Sequence, residues 1–207
     1  MTSSRPSSAD PASRRLTGQE GRATLIRIVF EKHATTGDNE LGVAAGWLPG
    51  TLSARGREEA AELGRRRGQD GLAAVFCSDL ARATQTASIA FDGMRVPVLA
   101  DWRLRECNFG ELNGSPADLV HADRAEYLDQ PYPGGESWWQ AVARVGRFLG
   151  DLAWRWDGRQ VLLIGHIATH WALEHMLADQ SMEVLAKAEF PWQPGWEYTF
   201  NSRAVQP

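Results

Sequence analysis

Leu25-Ile26-Arg27-Ile28-Val29-Phe30, followed directly by Glu31-Lys32-His33, is the stretch on which the fold is decided. Only Arg27 interrupts an apolar run too short for a core helix, so the run predicts a strand buried on both faces. Ala73–Cys77 and Val161–Ile164 are runs of the same kind, and Val96–Ala100 and Trp196–Phe200 are two further strand candidates. Between them lie helical patterns. Ser53 caps a helix to about Gly68, whose last turn carries Arg65-Arg66-Arg67 as the macrodipole favours. Asp79–Phe91 and Ile167–Ala178 read as helices. Glu136–Trp156 has the clearest period, with Trp138, Val142, Val145, Phe148, Leu149 and Leu152 at steps of three and four. Strands alternating with such helices imply right-handed crossovers and an α/β fold. The expectation is a three-layer α/β/α sandwich on a mainly parallel central sheet. Ligands of such sheets sit beyond the carboxyl ends of the strands. That rule singles out Glu31-Lys32-His33, Ser78 to Arg82, and Gly165-His166.

The 207 residues suit one domain, expected over 23–207. Met1–Arg22, rich in Ser, Pro, Arg and Ala without an apolar run, reads as a flexible N-terminal tail (1–22) rather than a secretory signal. Gly37–Gly50 reads as a Gly-rich loop, and the polar stretch of about 115–135 as a loop-helix lid. A net charge of −4 argues against nucleic acid as a partner, and no apolar stretch reaches the roughly 18 residues of a membrane span. Two cysteines, Cys77 and Cys107, lack zinc-site spacing and are too few for a disulfide framework. A cytoplasmic location follows as the default.

Two histidines past the ends of buried strands, with Arg82 on the first turn of a helix, describe an anion site with histidine chemistry. Backbone N–H groups at a helix start attract anions, Arg82 adds a planar fork, and a neutral imidazole is a competent nucleophile. Six sequence blocks then occur in the order of a known family. They are Phe30-Glu31-Lys32-His33-Ala34-Thr35, Leu52-Ser53-Ala54-Arg55-Gly56, Ser78-Asp79-Leu80-Ala81-Arg82-Ala83-Thr84-Gln85-Thr86-Ala87, Arg103-Leu104-Arg105-Glu106 with Gly110, Gly135-Glu136-Ser137, and Gly165-His166-Ile167. Together they resemble the histidine phosphatase superfamily (phosphoglycerate mutase-like, branch 1).

The resemblance implies a metal-independent phosphatase without a cofactor, acting on a small-molecule phosphate ester. In it His33 attacks phosphorus and becomes phosphohistidine. Arg82 and His166 hold the phosphoryl oxygens, with Lys32 in the place of the family's arginine. Glu106 protonates the leaving alcohol and then activates water. Thr35, Asn39 and Ser137 are implied substrate-binding residues, with a structural role as the other reading of Ser137. A homodimer is compatible with the chain.

The chain also departs from the family's pattern. Lysine for arginine exchanges a bidentate fork for a point charge. Glu31 stands where an apolar residue is usual, and is expected to repel phosphate or to pair with Lys32. Ala34 and Ile167 replace two glycines beside the histidines, and Asn39–Trp47 has no arginine. Two rivals follow: a phosphoglycerate mutase-like phosphotransferase, and a catalytically weak member that binds a ligand. The spacing of His166, His170 and Glu174 does not make a zincin motif, because Ile167 stands where a glutamate is needed, so no metal is expected. His121, His170 and His175 read as surface or packing residues, and Trp154, Trp156 and Trp171 as packing. Trp47, Tyr127, Tyr132, Trp138 and Trp139, in or beside the covering loops, suggest an apolar or aromatic leaving group.

Overall fold

A computed structural model describes residues 25–190 and 193–201. The tail expected over 1–22 lies outside the described residues. In chain order the elements are β1 (Leu25–Lys32), α1 (Gly37–Glu40), β2 (Val43–Ala44), α2 (Ala54–Arg67), β3 (Ala74–Cys77), α3 (Ala81–Ala90) and β4 (Val98–Ala100). There follow β5 (Ser115–Pro116), α4 (Ala117–Ala122), α5 (Trp138–Arg155), β6 (Gln160–Gly165), α6 (Ile167–Leu177), α7 (Met182–Lys187) and β7 (Trp196–Asn201).

The main sheet has the order β4-β3-β6-β1-β7, parallel except for β7, which runs antiparallel to β1. The strands alternate strictly between two cores. Ile26, Ile28, Phe30, Val161 and Leu163 pack on the side of α5 and α6, while Val29, Val75, Cys77, Leu162 and Ile164 join Leu63 of α2 and Ala83 and Ala87 of α3. These apolar runs are therefore buried on both faces because helices cover both. The periodic face of α5 behaves as its sequence requires: Val142, Val145, Phe148, Leu149 and Leu152 are all buried. Burying each of these side chains contributes about 1.5–3 kcal/mol.

Three features differ from the expectations. The Gly37–Gly50 stretch is not all loop. Thr36 and Asn39 form a capping box at α1, and β2 pairs antiparallel with β5 (Val43↔Pro116, Ala44↔Ser115), which ties this stretch to the one after residue 115. The candidate strand from Val96 shortens to Val98–Ala100, an edge strand with one neighbour, its three residues all partly exposed to solvent. Trp154 does not pack: it is 89% exposed, because it falls on the solvent side of α5, whereas Trp156 meets Phe76 edge-on and Trp171 is buried. Among the described residues no helix is long and apolar enough to cross a membrane.

Candidate active site

The sheet order brings the two histidines together. β1 and β6 are parallel neighbours with Lys32 opposite Gly165, and the His33 N–H donates to the Gly165 carbonyl at 3.0 Å. The next residue on each strand is thus carried past the same sheet edge, and the rings of His33 and His166 lie 4.9 Å apart. Gly165 is dictated by packing, since a Cβ there would meet Thr169 Oγ1 at 2.5 Å. That Oγ1 in turn donates to the Leu104 carbonyl.

His33 is 7% exposed, and its Nδ1 is 2.8 Å from the Ala34 carbonyl. A carbonyl only accepts, so Nδ1 carries the hydrogen and the lone pair is on Nε2. Burial, then the charges of Arg82 and Lys32, hold the imidazole well below its ordinary pKa, leaving it neutral. His166 is fully buried and neither ring nitrogen has a hydrogen-bond partner among the described residues. Burial, Arg82 and His33 keep it neutral as well. Two buried nitrogens without protein partners are costly, and a polar group bound beside the ring would satisfy one of them.

Arg82 is buried on α3. It donates from Nη2 to the Gly46 carbonyl (2.7 Å) and from Nη1 to that of Leu48 (2.8 Å). Its fork therefore also holds the loop before α2. Gly46 permits this loop, having φ of +51° and Asn113 Oδ1 where a Cβ would stand. The Lys32 ammonium lies 5.6 Å from the centre of the Phe190 ring. Burial lowers its pKa, Glu106 opposes that shift, and Arg82 adds to it. Glu106 is held by backbone donors: Oε1 accepts from Cys107 and Ala168 (3.0 Å each), and Oε2 accepts from Ile167 at 3.2 Å. It thus caps the start of α6, where His166 provides no side-chain cap of its own.

Sequence reasoning missed Arg144. Only 1% exposed, it donates to the carbonyls of Arg103 (2.7 Å), Arg105 (2.8 Å) and Glu106 (2.7 Å) and pairs with Glu136 at 2.9 Å. The available signal was an arginine one residue before Val145, on the apolar side of α5. The Trp47 indole also donates to the Glu106 carbonyl, at 2.7 Å.

Lys32, His33, Arg82, Glu106, Asn39 and His121 line one cavity of about 110 Å³. A larger groove of about 810 Å³ continues from His33 along α2. Thr35 borders only the groove, its N–H donating to Glu59 at 2.9 Å, while Asn39 borders both spaces and spends its Oδ1 on the Thr36 N–H. Ser137 borders neither; its hydroxyl accepts from the Gln140 N–H and caps α5, the structural one of its two readings. Two expectations are corrected. Glu31 does not pair with Lys32, because alternation along β1 turns it towards α2, where Arg66 (2.9 Å) and Arg67 (2.8 Å) bind it. His121 is not a mere surface or packing residue, since α4 carries it into the cavity wall.

The aromatic expectation is corrected too: none of Trp47, Tyr127, Tyr132, Trp138 and Trp139 lines either space. Tyr132 and Trp138 are core residues, and the Trp138 indole donates to the Tyr132 hydroxyl. His170 and Glu174 both meet the Tyr198 hydroxyl, and the His170 ring stacks on Phe30. Among the described residues no three potential metal ligands come together.

Known proteins resemble this chain in sequence and in fold. Residues 28–192 match the sequence model of the family described as histidine phosphatase superfamily (branch 1). Phosphoglycerate mutase 1 of Saccharomyces cerevisiae is 35% identical over 109 residues, 50% of this chain but only 41% of the yeast protein. Among solved structures, Bacillus stearothermophilus YhfR superposes with a TM-score of 0.73 at 24% identity, over 83% of this chain and 90% of its own. A mycobacterial glucosyl-3-phosphoglycerate phosphatase, solved in complex with VO3, has a TM-score of 0.66 at 26% identity, over 79% and 86%.

Proposed function

This chain belongs to the histidine phosphatase superfamily (branch 1), and from that premise we propose that it hydrolyses a small phosphate monoester through a phosphohistidine at His33. The observation that carries the proposal is the pairing of the two rings. A neutral His33 has its lone pair on Nε2, and its ring lies 4.9 Å from that of His166, whose nitrogens have no hydrogen-bond partner among the described residues.

In the first step the Nε2 lone pair attacks phosphorus and the ester P–O bond breaks. The departing alkoxide oxygen takes a proton from Glu106. Lys32, Arg82 and an N–H of His166 stabilise the equatorial oxygens, which carry the charge in the transition state. In the second step water attacks the phosphohistidine and gives its proton to Glu106. The P–N bond breaks, phosphate leaves, and His33 and Glu106 return to their starting forms. No step draws on a metal, and activity is expected to persist in EDTA.

A mutase reading is favoured by the yeast relative. It needs a cation for the substrate carboxylate, however, and Arg124, the arginine among the acidic residues of 115–135, does not border the cavity; its guanidinium lies on the carbonyls of Ala186 and Ala188. Hydrolysis is therefore preferred. Brief reaction with a radiolabelled aryl phosphate followed by quenching is expected to leave an acid-labile, base-stable label on His33, and none in His33→Ala. Label on another residue, or rapid interconversion of 2- and 3-phosphoglycerate, would contradict the proposal.

A further inference from the structure

The mechanism leaves His121 without a task, although it shares the cavity with Glu106 and Lys32. Its position is built rather than incidental. The Ala117 N–H donates to the Gly42 carbonyl at 2.7 Å, the β2–β5 pair holds the start of α4, and Ala117 and His121, one turn apart, face the same space. Among the described residues neither ring nitrogen of His121 makes a hydrogen bond.

In-line displacement puts the leaving oxygen across phosphorus from His33, beside the proton donor Glu106. The atoms just beyond that oxygen then enter the part of the cavity that His121 borders. The larger groove is a poorer rival for these atoms, because it runs from His33 along α2 and neither Glu106 nor Arg82 borders it.

We propose that His121 is a specificity-determining residue that hydrogen-bonds a hydroxyl on the alcohol next to the ester, so that the preferred substrates are phosphorylated polyols or sugars. This rests on the phosphatase reading above. A neutral imidazole offers one donor and one acceptor, which matches a hydroxyl; a carboxylate would instead call for a cation. Burial first, then Arg124, lowers the His121 pKa, with Lys32 acting in the same direction and Glu106 and Asp118 against it, so the ring is neutral near pH 7.

The test compares glycerol 3-phosphate with n-propyl phosphate, which has the same carbon skeleton without hydroxyls, in the wild type, His121→Ala and His121→Gln. The wild type is expected to favour the glycerol ester in kcat/KM by roughly tenfold, the size of one net hydrogen bond. His121→Ala should bring the ratio close to one, mainly through KM, and His121→Gln, which keeps a donor and an acceptor, should retain part of it. Melting curves check that both variants are folded, and the glutamine variant carries the test if the alanine variant is not. A wild-type ratio near one, or an unchanged ratio in the folded variants, overturns this inference and leaves the phosphatase reading intact. Release of phosphate from neither ester nor any aryl phosphate, with His33 unlabelled, overturns both.

Discussion

At the scale of single residues, the phosphate-binding role proposed for Lys32 has the largest consequence. An arginine in its place would keep its charge at any accessible pH, whereas burial lowers the pKa of the Lys32 ammonium. As pH rises through that lowered value the cation is lost and phosphate binding with it. The expected result is an alkaline fall in kcat/KM that begins below the ordinary lysine value of 10.5. Lys32→Arg should move that limb upward and, by binding two oxygens, raise kcat/KM on an aryl phosphate; a pH–rate profile that is identical in the two proteins would contradict it. Glu31 takes no part in this, because Arg66 and Arg67 already neutralise it. Glu31→Val should therefore leave the profile's shape alone and lower stability instead, since it strips the partner from two arginines. The exchange at residue 32 is legible in the sequence. Its sequel is not, because the partner of Glu31 lies on a helix some 35 residues further on.

At the scale of elements, two helix starts are capped by candidate site residues, Ser137 and Glu106. Ser137 caps α5, so Ser137→Ala should cost about 1 kcal/mol of stability with kcat/KM preserved. Loss of activity without loss of stability would return Ser137 to the substrate pocket. Glu106 caps α6, so the proton donor we propose and His166 are carried by one joint. Arg144 braces that joint from α5 through three carbonyls. Arg144→Met leaves Glu136 without its buried partner and should cost about 3–5 kcal/mol in denaturant unfolding. In whatever fraction stays folded, kcat should fall more than KM rises, because the braced group acts on the leaving oxygen and not on ground-state binding. The Ser53 cap was legible in the sequence, but a brace from α5 to the Arg103–Glu106 loop leaves no local pattern.

At the scale of the whole molecule, the neutral histidines make stability depend on pH. His33, His166 and His170 all have folded-state pKa values below the ordinary 6.5, that of His170 being pushed down to about 4 by burial. Between those values the unfolded chain binds more protons than the folded one, so stability is full above 6.5 and declines as pH falls towards 4. Denaturant melts at pH 7 and pH 5 should show this loss, and His170→Phe should narrow the difference between them. A stability that is flat over this interval would mean that the rings are not buried neutral in solution.

The sequence by itself determined the alternation of strand and helix, because apolar periodicity and caps are local and each element reports its own burial. It also marked His33, Arg82 and His166 as residues at or near the carboxyl ends of strands, while Glu106 was marked only by the family resemblance of a short motif. Only the tertiary structure decided that β6 lies beside β1, and so that His33 meets His166, whose nitrogens have no partner among the described residues. It alone turned Glu31 away towards α2 and swung His121 into the cavity. Strand order, the direction of a buried charge and the far wall of a pocket are set by contacts between residues distant in the chain, and no local pattern encodes them.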